Sequence, residues 1–224
     1  MKARRSLRTR VRDSALHGIR LAGGLAAASR SRWRANRLLI LCYHGFALED
    51  EHVWDPALFV TRDHLESRLA FLAARGYTVL PLPEGLARLR MGTLPTRAVA
   101  ITVDDGTYDF HAVAYPVFKR LGVPVTLYVS TYHVLDHRPV FDVAFRYLFW
   151  KAGMSGRGEL RDPLAEDGRP LRTPSDREQA AARVCEAVRR ERWSAEKKHE
   201  WLGRFAHGSG DYLPLAIRRG RPSE

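Results

Sequence analysis

Four short apolar runs, RLLILCYHG (37–45), YTVLPL (77–82), AVAITV (98–103) and VPVTLYVS (123–130), set the narrowest limit on how this chain can fold. Each is too apolar on both faces for an antiparallel strand with one side in water. Runs of this kind belong to parallel strands covered on both sides. Parallel neighbours need a long crossover between them, and amphipathic segments fill the intervals. TRDHLESRLAFLAARG offers Thr61 as a helix cap, Leu65, Leu69 and Leu72 on one face, and Gly76 as the terminator. PEGLARLRMG predicts a shorter helix with Pro83 at its start and Gly92 at its end. TYDFHAVAYPVFKRLG predicts a helix that either kinks at Pro116 or becomes regular near Tyr115, and that stops at Gly122. The pattern is that of an α/β fold.

The rhythm changes beyond residue 140. An aromatic segment, VFDVAFRYLFW, precedes a loop rich in Gly, Pro and charge from Gly153 to Pro174, and then a long helical stretch, DREQAAARVCEAVRRERWSAEKKHEWLGRFAHG. No strand candidate follows Ser130. Val184, Val188, Trp193, Trp201 and Phe205 give these last helices enough apolar surface to cover an open side of a sheet.

With 224 residues and 45% hydrophobic content, the chain has the composition of a globular protein with a sizeable core. Its formal charge of +12 is concentrated: Lys2 and ten arginines against Asp13 give +10 within residues 1–37, and the rest is close to neutral. The basicity therefore describes a solvated N-terminal arm and not a specific nucleic-acid reader. Arg20 interrupts the weakly apolar middle of that arm, and the uninterrupted LAGGLAAAS lacks the bulk of an export signal. No run approaches the roughly 20 apolar residues of a membrane span, although the basic arm is suited to weak contact with an anionic membrane surface. Two cysteines, Cys42 and Cys185, are too few for a disulfide framework and are expected as reduced, buried thiols.

The chemistry concentrates where AVAITV runs into DDG. In parallel sheets ligands gather at the C-terminal ends of strands, and Asp104 and Asp105 stand at such an end. Residues leaving a strand point in different directions, so one acid can ligate a metal while its neighbour accepts a proton from water. A divalent cation also relieves the repulsion between the two carboxylates, and Gly106 allows the chain to turn sharply. On its own the same tripeptide is more often a helix cap or turn, and the strand end that precedes it is what points to a site. CYHG, closing the first run, brings Tyr43 and His44 toward the same edge, although a lone histidine there is more often structural.

Taken in order, LLILCYHGF, HLESRLAFLAARGYTVLPL, AVAITVDDGTYDF and YPVFKRLGVPVTLYVST resemble the first half of the polysaccharide deacetylases, also called the NodB-homology family or carbohydrate esterase family 4. Thr102, Val103, Asp104, Asp105 and Gly106 match that family's TFDDG signature with Val for Phe. The resemblance covers roughly residues 38–150. It implies an incomplete parallel (β/α) barrel and metal-dependent removal of acetyl groups from an N-acetylated glycan. The roles it implies are general base for Asp104 and ligand of a divalent metal, usually zinc, for Asp105. It also implies a place in the cell envelope or outside the cell.

Two further ligands belong to a His-Ser/Thr-x-x-His motif. HVLDH offers His133 and His137 at the same interval, but with Val134 in second position and earlier in the chain than the family has it. The family's Arg-Pro and Leu-x-His motifs have no counterpart. The reading is thus a basic arm (1–37), the first part of a deacetylase-like barrel (38–150), and a helical insert or shortened remainder (151–224). Four strands of such a barrel are expected to leave apolar edges open. The competing readings are a catalytically silent glycan-binding or membrane-associated remnant and a truncated gene product.

Overall fold

The computed structural model describes residues 18, 36–131, 135, 139–155 and 160–208. These form a mixed α/β chain in two compact units, the first built mainly from the described residues 36–42, 67–102 and 122–126, the second from 43–66, 103–121 and the described residues between 127 and 208.

The first unit centres on the sheet. Its strands are β1 (Leu39–Tyr43), β4 (Thr78–Val79), β5 (Ala98–Val103) and β6 (Thr126–Leu127), in the order β1–β5–β4 with β6 also paired to β5. Strands β4 and β5 run parallel, with Thr78 opposite Ala98 and Val79 opposite Val99. All six residues of β5 are buried, as its uniform apolarity predicts. Strand β1 departs from that prediction: Leu39 and Ile40 are 40% and 51% exposed. Among the described residues it ends the strand order, and apolarity along a run does not distinguish a central strand from an edge. Cys42 is exposed for the same reason, contrary to expectation, whereas Cys185 is buried.

The crossover helices fall near the predicted places. Helix α2 (Arg62–Ala74) starts after Thr61, whose Oγ1 accepts the His64 N–H at 3.2 Å, and the chain leaves it through Gly76 at φ +66°. Helix α3 spans Leu82–Arg90. Near Pro116 a single π-helical turn, Phe110–Ala114, leads into α4 (Tyr115–Leu121). Helical backbone is continuous from Tyr108 to Leu121, so Pro116 lies inside it, and the π turn just before it is the local distortion by which a helix accommodates an interior proline.

The second unit contains a pairing that periodicity did not reveal. Two-residue strands β2 (Gly45–Phe46) and β3 (Phe59–Val60) pair in parallel around the short helix α1 (Glu51–Trp54). Three longer helices follow: α5 (Phe141–Ser155), α6 (Pro174–Arg190) and α7 (Ala195–Gly208). Thr173 opens α6 with a reciprocal capping box to Asp176, and Arg192 at φ +50° separates it from α7. The apolar faces of these helices converge on α5. Phe145, Leu148 and Phe149 meet Val184, Val188 and Leu202, and the Trp201 ring stands edge-on to Phe145 at 4.9 Å. The surface expected to cover a sheet thus builds a core of its own, and the side chain of Phe205 lies outside the described residues. Among the described residues no strand follows β6, and no helix is long and apolar enough to cross a membrane.

Asp162 fastens the loop before α6. It is 4% exposed, and its carboxylate accepts from Arg183 Nη2 at 2.5 Å, Arg169 Nε at 3.3 Å and the Leu164 N–H at 3.1 Å. Burial pushes this carboxyl up, but the Leu164 N–H and the two guanidiniums together outweigh it and hold it below the usual carboxylate range. A depressed folded-state value means the stabilisation is present above the unfolded value of about 4 and is lost as pH falls through the folded one. D162N should therefore lower unfolding free energy at pH 7 by roughly 1–3 kcal/mol. That deficit should shrink below about pH 4 in urea titrations; a deficit independent of pH would contradict the assignment.

Candidate active site

The end of β5 is held by main-chain bonds before any side chain acts. The Asp104 N–H donates to the Tyr43 carbonyl at 3.0 Å, the Tyr128 N–H to Val103 at 2.8 Å, and the Ser130 N–H to Asp105 at 3.2 Å. Between these, Asp105 and Gly106 take φ values of +71° and +68° in succession, which turns the chain sharply out of the strand. Gly106 is required twice over, because a Cβ there would stand 3.3 Å from the Val129 Cα and 3.2 Å from its Cγ1. Asp105 has no such freedom, and its left-handed backbone costs about 1 kcal/mol relative to glycine.

The turn separates the two acids. Asp104 Oδ2 lies 3.5 Å from Nε2 of His44, a distance that becomes an ion pair when the imidazole is protonated. Asp105 lies on a concave pocket that opens to solvent. His44, Glu51, Thr107 and Asp109 also reach this pocket. Its walls are otherwise apolar, with Phe46, Leu58 and Phe59 on the β2–β3 side and Val140, Val143 and Tyr147 on the α5 side. Tyr147 is fixed from behind: its hydroxyl donates to Asp50 at 2.6 Å, and Lys151 Nζ binds the other Asp50 oxygen at 2.5 Å. Burial together with the Asp50 acceptor pushes the Tyr147 phenol far above its ordinary range, so it stays a hydrogen-bond donor. Burial pushes Asp50 up, but its bonds from Lys151 and Tyr147 outweigh that effect and hold it below the usual range.

Asp109 is 2% exposed, and burial pushes its carboxyl up. Neither it nor Tyr147 carries a motif of its own. The structure therefore joins Asp104 to His44 and sets Asp105 on the pocket, while His133 and His137 lie outside the described residues. The CYHG run was the available signal for His44; nothing local distinguished it from a structural histidine.

No family model matches the chain. Among curated proteins, the poly-beta-1,6-N-acetyl-D-glucosamine N-deacetylase of Staphylococcus aureus is 32% identical over 75 residues, 34% of this chain and 26% of that protein. Bacillus subtilis YxkH, a polysaccharide deacetylase by name, is 31% identical over 94 residues, 42% of this chain and 32% of that one. Over part of its length the chain is similar to polysaccharide deacetylases. The matched portion spans about a quarter to a third of these relatives. Similar solved structures include the Streptococcus pyogenes deacetylase PplD, with 22% identity, a TM-score of 0.38 and coverage of 66% of this chain and 80% of that one. IcaB of Ammonifex degensii follows with 26% identity, a TM-score of 0.35 and coverage of 41% and 37%.

The strain at the metal-ligand candidate is testable without any ligand. D105G should raise the stability of the metal-free chain by about 1 kcal/mol, read as a higher midpoint in urea unfolding; D105A, which keeps a Cβ, should not. Equal midpoints for D105G and D105A would contradict a strained Asp105.

Proposed function

We propose that the chain is a metal-dependent deacetylase that hydrolyses the acetamide of an N-acetylated glycan, working in the cell envelope or outside the cell. The observation that carries this reading is the division between neighbouring acids: Asp104 paired with His44 at 3.5 Å, Asp105 held in a strained turn on the pocket. Relationship over part of the chain to proteins named as deacetylases of N-acetylglucosamine polymers supports the substrate class. In this reading the parallel strands belong to an incomplete barrel, and residues 1–37 are a solvated arm with weak affinity for anionic surfaces.

Asp104 is the general base and takes a proton from the attacking water. His44 Nε2, close to the Asp104 carboxylate, returns a proton to the amine nitrogen as the C–N bond breaks, so the products are acetate and a free amino sugar. The carboxylate and imidazole groups at the strand ends are the donor chemistry of catalytic zinc sites. Asp105, with His133 and His137, would hold the ion, which when bound supplies Lewis acidity to the acetyl carbonyl and to water. The apolar walls formed by Phe46, Phe59 and Val143 exclude water around the acyl group.

Calorimetric titration with zinc tests the reading. Binding at micromolar or tighter levels is expected, lost in D105A and in H133A and retained in D104N, since the base is not a ligand. Absence of binding by the unaltered chain would defeat the metal-dependent reading and favour a catalytically silent glycan-binding protein.

A further inference from the structure

The proposed chemistry leaves one buried carboxyl unused. Asp109 stands four residues beyond Asp105, and its Oδ2 accepts the main-chain N–H of Phe46, 63 residues earlier in the chain. Among the described residues its Oδ1 is buried with no hydrogen-bond partner. Alternation along β2 explains why a carboxylate is needed there. The N–H groups of Gly45 and Ala47 point to β3 and bind the carbonyls of Leu58 and Val60 at 3.2 and 2.9 Å. The Phe46 N–H points the other way, into a buried region where an unpaired donor is costly.

The consequence falls on His44. On one flank the Tyr43 carbonyl accepts the Asp104 N–H at 3.0 Å; on the other the Phe46 N–H meets Asp109. Besides the Gly45 N–H bond to Leu58, two anchors flanking His44 therefore come from the segment that carries Asp104 and Asp105. The Phe46 ring, fully buried 6.5 Å from that of Phe110, adds packing to the same contact. We propose that Asp109 is a positioning residue that sets His44 against Asp104. The proposal rests on reading those two as the proton-transfer pair, but it concerns their geometry.

The test is nuclear magnetic resonance of the full chain, following the His44 imidazole Cε1–Hε1 signal and the Phe46 amide proton. In the unaltered chain the Phe46 amide should lie downfield, as a donor to a carboxylate, and exchange slowly. In D109A it should exchange at least about tenfold faster, and the His44 signal should move to where D104A puts it. D109N keeps an oxygen that accepts the Phe46 N–H, so it should leave the His44 signal in place and move the Phe46 amide upfield. A His44 signal unmoved in D109A, or moved as far by D109N as by D109A, would overturn the proposal. Should D109A fail to fold, D109N decides: a Phe46 amide at an ordinary shift, untouched by D109N, overturns it as well. These signals do not depend on turnover, so a chain that binds no zinc defeats the functional reading without affecting this result.

Discussion

Strand β5 ends against the last residue of β1, where both strands give way to turns. The bond from the Asp104 N–H to the Tyr43 carbonyl makes that transition, because it joins the two strand ends that carry the candidate chemistry, 61 positions apart. Everything functional in the second unit is arranged around it. His44 follows Tyr43 directly and so meets Asp104; Asp105 follows Asp104 directly and is turned onto the pocket by two successive left-handed residues. Without that bond the two acids would be a charged turn. With it they have distinct surroundings, one facing an imidazole and the other an apolar pocket.

The helical part of the second unit bears on the site through one face. Helix α5 is buried on one side against α6 and α7, through Phe145, Leu148 and Phe149, and turns Val143 and Tyr147 to the pocket. Asp50 ties the same helix to the loop after β2 by accepting from both Tyr147 and Lys151. A helix packed from behind and pinned in front makes a stiff wall. A stiff wall is what an oriented acyl group needs, since catalysis depends on keeping the reacting atoms in register.

Much of this was legible in the sequence, for physical reasons that also explain what was not. Thr61, Gly76 and Gly122 mark helix ends through local backbone preferences, so they read correctly without tertiary information. The burial of β5 follows from its own composition. The exposure of β1 does not, because edge or centre is a property of neighbours. The β2–β3 pair escaped because two-residue strands have no periodicity to detect. Asp104 and Asp105 were visible as neighbours in a motif, whereas the pairing of His44 with Asp104 and the burial of Asp109 arise from contacts across about 60 residues. The terminal helices were recognised as amphipathic, but an apolar face does not state its partner; it packs on α5.

Acetate release is the most direct measure of the central claim, that the acids ending β5 are a hydrolytic site. The full chain, supplied with zinc and an N-acetylglucosamine oligomer, should release acetate and an equal amount of free amine. The rate should fall about 10²–10⁴-fold in D104N, the range that loss of a general base produces. Acetate release no faster than in zinc alone, or equally fast in D104N, would contradict the account.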